Sequence, residues 1–116
     1  MSKRVRPLEG LLVVDFSTLL PGPLATEILA QAGARIVKIE KPGTGDDMRG
    51  YQPRWGSSSA NFALLNAGKE SVAIDLKSPD ARRSIKSLIA RADVLIEQFR
   101  PGVMGRLASI TRVSIE

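Results

Sequence analysis

Four short apolar runs separated by helical patterns limit this chain to a narrow set of folds. Residues 11–16 (LLVVDF), 35–40 (RIVKIE), 71–76 (SVAIDL) and 94–99 (VLIEQF) are each one strand long and rich in Val, Ile and Leu. The first is almost unbroken, the pattern of a strand covered on both faces. After it, Pro21-Gly22-Pro23 opens a helix, because a proline in the first turn gives up an N–H that has no partner there. Leu24, Ile28, Leu29 and Ala32 recur on one helical face, and Gly33 supplies the stop. A second helix has Ser78 as its cap, Pro79 in its first turn and Asp80 near the positive end of its dipole. Its stripe is Ala81, Ile85, Leu88, Ile89 and Ala92. Residues 102–108 are expected to start another helix. Strand–helix–strand, twice over, predicts an α/β domain with a mostly parallel sheet.

The connection at 41–60 (KPGTGDDMRGYQPRWGSSSA) is polar and rich in Gly, Pro and Ser, and a loop of that length in a small domain is more often functional than filler. Ser57-Ser58-Ser59 lacks a base partner and reads as loop, with a short helical turn over 61–65. After residue 107 no clear ending is visible. A chain cut inside a larger domain and a short strand at 112–115 are the alternatives.

Composition narrows the chemistry. Cysteine and histidine are both absent, which excludes a disulfide scaffold, thiolate metal sites, a Ser-His-Asp triad and a histidine base from these 116 residues. The net charge of +5 suits an anionic ligand. Nucleic acid is not expected, because no run of five like charges and no basic–aromatic interleaving occurs. Lys3, Arg4 and Arg6 precede an apolar stretch as in a signal peptide, but Glu9 and Asp15 interrupt it. No run reaches membrane length, so the expectation is a cytoplasmic protein with no membrane association.

In parallel α/β sheets ligands sit beyond the carboxyl ends of the strands. Segments 17–23, 41–47, 76–79 and 99–102 reach that edge. The first, STLLPGP, lacks G-x-G-x-x-G, and no phosphate-binding G-x-x-x-x-G-K-[ST] loop occurs. Asp46 and Asp47 are adjacent carboxylates in a loop, expected to face solvent rather than hold a metal. Asp15, near a strand end, is not expected to act as a nucleophile.

Three stretches carry a family resemblance. VVDFSTLLPGPLATEILAQAGARIVKIEKPGTGD, NAGKESVAIDLK and ADVLIEQFRPGVMGRL resemble, in order, segments of the class III CoA-transferases, a group that includes formyl-CoA transferase, carnitine CoA-transferase and α-methylacyl-CoA racemase. The resemblance implies the N-terminal part of a Rossmann-like large domain, over residues 1–116, that binds coenzyme A at the carboxyl edge. It implies no permanently bound cofactor, coenzyme A or acyl-CoA as substrate, a carboxylic acid as the second substrate, and an interlocked homodimer. Transferase members use an aspartate that forms a mixed anhydride and then a CoA thioester; racemase members use a histidine and a carboxylate. In both branches those residues lie further along the chain, so this chain has no catalytic residue and is expected to be inactive alone. A nucleotide-binding module without catalysis is the reading from a different class.

The resemblance also marks binding residues. Leu20 and Pro21 match the loop lying against coenzyme A, with a plain helix-entry loop as the alternative. Lys41 stands where similar proteins carry an arginine near the phosphates; a solvated lysine is the other reading. Asn66 and Lys69 match a segment that contacts the nucleotide, against a turn lysine. Gln98 and Phe99 end the fourth strand, where an aromatic covers adenine or simply fills core. Arg100 and Arg106 flank Pro101-Gly102, with a phosphate contact expected from at least one.

Overall fold

The computed structural model describes residues 5–108. Lys3, Arg4 and the strand considered at 112–115 lie outside the described residues. The elements run β1 (Leu12–Asp15), α1 (Pro21–Gln31), β2 (Arg35–Glu40), a 3-10 turn (Asp47–Gly50), β3 (Arg54–Trp55), β4 (Ser58–Ser59), α2 (Ala60–Leu65), β5 (Glu70–Ala73), α3 (Pro79–Arg91), β6 (Val94–Ile96) and α4 (Val103–Ala108). Strands β5, β2, β1 and β6 form one sheet in that order, and all three pairings are parallel. Asp15 lies in register with both Lys38 and Ile96, so β1 and β6 end level and their loops leave from one edge. The mostly parallel α/β architecture is the one the alternating runs imply. β3 and β4 make a separate antiparallel ribbon inside the long connection.

The two faces of the sheet differ. On one, Val14, Phe16, Val37 and Ile39 pack with Ile85 of α3 and Met104 of α4, and Leu88, Ile89 and Ala92 complete the contact. The helical stripe read from the sequence therefore meets its apolar face, with Ser78 capping the Ala81 amide. On the other face, Val13, Ala34 and Ile36 form a smaller cluster with Leu29 and Ala30 of α1. Because side chains alternate along a strand, Asp15, Lys38 and Glu40 extend this second face toward the carboxyl edge, and all three are buried.

That polar extension turns α1 around. Leu24 and Ile28, expected to face the core, are 46% and 59% exposed. The buried residues are instead Pro23, Thr26 and Glu27. The helix covers charged groups, and Thr26 matches them by donating its hydroxyl to Oδ2 of Asp15. Three strands are also shorter than the apolar runs suggest, and β1 loses one residue at each end. The third stops at Ala73, after which Asp75 turns the chain by accepting from the Lys77 amide at 3.0 Å. The fourth stops at Ile96, and the Glu97 carboxylate accepts from the Phe99 amide at 2.7 Å, so Gln98 and Phe99 lie past the strand rather than in it. Nor is the serine run plain loop: Ser58 and Ser59 form β4, and the fully buried Ser59 caps α2 through the Phe62 amide.

Candidate functional site

A helix N-terminus beyond a first β-strand is an ordinary anion site because its amides point outward. Here α1 offers few. Pro21 and Pro23 have no N–H, and the Leu24 amide already donates to the Leu20 carbonyl at 2.9 Å. Leu20 provides no side-chain cap either. An anion beside the start of α1 therefore finds few free amides there and depends on cationic side chains nearby.

Those side chains surround a cleft of about 350 Å³ at the carboxyl edge. Its walls are Thr18 after β1, Lys41, Pro42 and residues 45–47 after β2, residues 74–77 after β5, and Phe99 after β6, with Phe16 and Ile39 below. The Phe16 and Phe99 rings lie 5.9 Å apart, tilted by 60°. Such a cleft, apolar inside and charged at its mouth, fits a planar ring system that carries anionic groups. Lys41 holds Asp47 at 3.1 Å, but both side chains are mostly exposed. A pair in that setting is weak, which leaves the ammonium free to exchange partners.

Below the rim, Lys38 pairs with Asp46 at 2.9 Å, both fully buried. The expectation that Asp46 faces solvent is thus corrected: a lysine on β2 draws it inward, and only Asp47 stays exposed. Among the described residues no acidic cluster is arranged to hold a metal. Asp15 is also sealed off, accepting from the Ser17 amide and from the hydroxyls of Ser17 and Thr26. Burial pushes the Glu40 carboxyl up, but hydrogen bonds from Arg49, Ser71 and the Asp46 amide outweigh it and hold the group at about 2.

The candidates read from the sequence separate into groups. Lys41 and Phe99 line the cleft. Arg100 is exposed immediately after Phe99, and Arg106 is exposed on α4. Gln98 donates its amide to the Thr18 hydroxyl at 3.0 Å, linking the loops after β6 and β1. Leu20 and Pro21 are exposed at the start of α1. Asn66 and Lys69 turn away from the surface: the Lys69 ammonium, 1% exposed, donates to the Pro23 carbonyl and to Asn66 Oδ1, each at 2.9 Å. Burial lowers this ammonium to about 8 despite Asp15 at 3.8 Å. Ile74 and Asp75 also line the cleft without having been marked, and Leu76 and Lys77 were placed at this edge without being singled out as binding residues. The signal was present, since segment 76–79 follows a parallel strand.

A parallel sheet with a crevice at the strands' carboxyl ends defines an α/β domain of the doubly wound kind. More narrowly, the chain belongs to CoA-transferase family III, whose model matches residues 8–111. It is 50% identical over 101 residues to an acetyl-CoA:oxalate CoA-transferase of Acetobacter aceti, covering 87% of this chain and 26% of that protein. It is 38% identical over 104 residues to the human succinyl-CoA:glutarate CoA-transferase, covering 89% and 24%. A crystal structure of a CAIB/BAIF family protein from Brucella suis superposes with a TM-score of 0.82 at 35% identity, over 90% of this chain and 29% of that one. The chain therefore spans about a quarter of the length of the curated relatives it matches.

Proposed function

We propose that this chain forms the coenzyme A-binding part of an enzyme that transfers coenzyme A between an acyl-CoA and a carboxylic acid. The cleft carries the reading, because it combines an aromatic interior with separate cations at its mouth, within the segment matched to the family. Phe99 and Ile74 would sandwich the adenine, and Lys41, Lys77 and Arg100 would meet the phosphates, with Arg106 adding charge from α4. Leu20 and Pro21 would border the pantetheine arm, and Gln98 would hold the Thr18 loop against it. Asn66 and Lys69 would act from below by fixing the first turn of α1. At about 350 Å³ the cleft suits the nucleotide end rather than the whole carrier. No residue here is assigned as nucleophile: Asp15 and Asp46 are both fully buried and hydrogen-bonded.

The relatives named as CoA-transferases favour transfer over α-proton exchange. The exposed Leu24 and Ile28 on α1 support assembly with further protein, as in a homodimer. Among the described residues no helix is long and apolar enough to cross a membrane, and the cytoplasm is the location we propose.

Calorimetric titration tests the assignment. Coenzyme A is expected to bind more tightly than 3′-dephospho-coenzyme A, with the advantage shrinking in salt. Lys41→Ala and Arg100→Ala should each reduce it. No heat of binding at millimolar coenzyme A would sink the reading.

A further inference from the structure

Strand β2 is covered on both faces yet carries a lysine whose side chain is 1% exposed. Lys38 meets two demands at once: its ammonium lies 2.9 Å from Asp46 Oδ2 and donates to the Ser17 carbonyl at 3.0 Å. Asp46 in turn accepts from the Met48 amide at 2.9 Å and from the Leu19 amide at 3.2 and 3.3 Å to its two oxygens. Its own amide donates to Glu40 at 2.8 Å. One carboxylate thus joins the loop after β1 to the loop after β2, and both loops line the cleft.

Leu19 shows what this junction holds. Its φ of +66 makes it the non-glycine residue with a left-handed backbone among those described, a conformation that side-chain-bearing residues avoid unless their surroundings impose it. A buried ion pair is by itself poor evidence of stabilisation, since apolar replacements often do as well. Here the partners beyond Lys38 are backbone amides of these two loops, which an apolar side chain cannot satisfy.

We propose that Asp46 is a positioning residue for coenzyme A: its fully buried carboxylate holds Leu19 in its left-handed turn and so sets the spacing of the two loops, without itself meeting the ligand. This rests on the coenzyme A reading above.

Titration of the full chain with coenzyme A tests it. Asp46→Asn is expected to weaken binding about tenfold, the scale of losing hydrogen bonds to a charged acceptor. Adding Leu19→Gly, which adopts the turn without strain, is expected to recover most of that loss. Unchanged affinity in Asp46→Asn, or no recovery on adding Leu19→Gly, overturns the proposal while the coenzyme A reading stands. If Asp46→Asn fails to fold, Leu19→Val decides: it leaves the Lys38–Asp46 pair intact but opposes the left-handed turn. Weaker binding in that variant supports the proposal and unchanged binding overturns it. Absence of binding by the unaltered chain removes both readings together.

Discussion

Arg49 places one guanidinium nitrogen 2.7 Å from Oε2 of Glu40, and the same group sits 4.0 Å above the ring of Phe62. A second nitrogen donates to Oε1 of Glu40 at 2.8 Å, so the pair is bidentate. Glu40 ends β2, Arg49 belongs to the 3-10 turn and Phe62 to α2. This contact therefore ties the long polar connection to the sheet, beside the cleft that the connection helps to build.

Glu40 gives the chain an acid-sensitive term. Its folded value of about 2 lies below the ordinary 4.5. The stabilisation is therefore complete above pH 4.5 and disappears as pH falls through about 2. Its size is on the order of 3 kcal/mol. Urea midpoints measured from pH 5 to pH 2 should decline, and in Glu40→Gln the decline should be shallower, starting from a lower midpoint at pH 7. Equal slopes in the two proteins would assign the effect to other carboxylates.

Lys69 follows the same rule at the other end of the scale, because its folded value too lies below the ordinary one. Burial leads, and brings the ammonium from 10.5 to about 8. Between those values the unfolded chain holds the proton and the folded chain does not, so stability rises with pH across that window. Urea denaturation at pH 8 and pH 10 is expected to show the gain, and Lys69→Met should lack it.

Gly22 permits α1 to start where it does. A Cβ at this position would overlap the Cβ of Ser17 and approach Gln98 Oε1 to 3.2 Å. The Ser17 atom is fixed by its backbone, so relief requires the helix to move. Gly22→Ala is expected to lower the thermal midpoint, with a cost of about 1–3 kcal/mol, typical of overpacking. A variant as stable as the parent would show that the first turn adjusts freely.

The inverted seating of α1 can be checked by paired truncations. Ile85→Ala removes a side chain that is 1% exposed in the larger cluster, and should cost about 2–5 kcal/mol. Ile28→Ala, at 59% exposure, should stay within roughly 0.5 kcal/mol of the parent. A large loss for Ile28 would return that residue to the core.

The apolar runs and helix signals determined the parallel α/β architecture, because β1, β2 and α3 bury the faces that their own residues mark out. That Lys41 and Phe99 lie at the carboxyl edge was legible on the same logic, combined with the family segments around them. Tertiary structure decided the rest. No local pattern shows that Lys38 is buried, or that it pulls Asp46 inward while Asp47 stays in solvent. The pairing joins residues from different segments, and burial of a charge depends on a partner that only the fold supplies. The orientation of α1 follows from the same cause: the helix covers the polar half of a sheet face, so Thr26 and Glu27 face inward and Ile28 outward, against its hydrophobic pattern. The inward turn of Lys69 onto Pro23 and Asn66 is likewise a matter of packing. Sequence marked the elements and the edge, and the meeting of buried charges from separate strands and loops fixed the rims of the site.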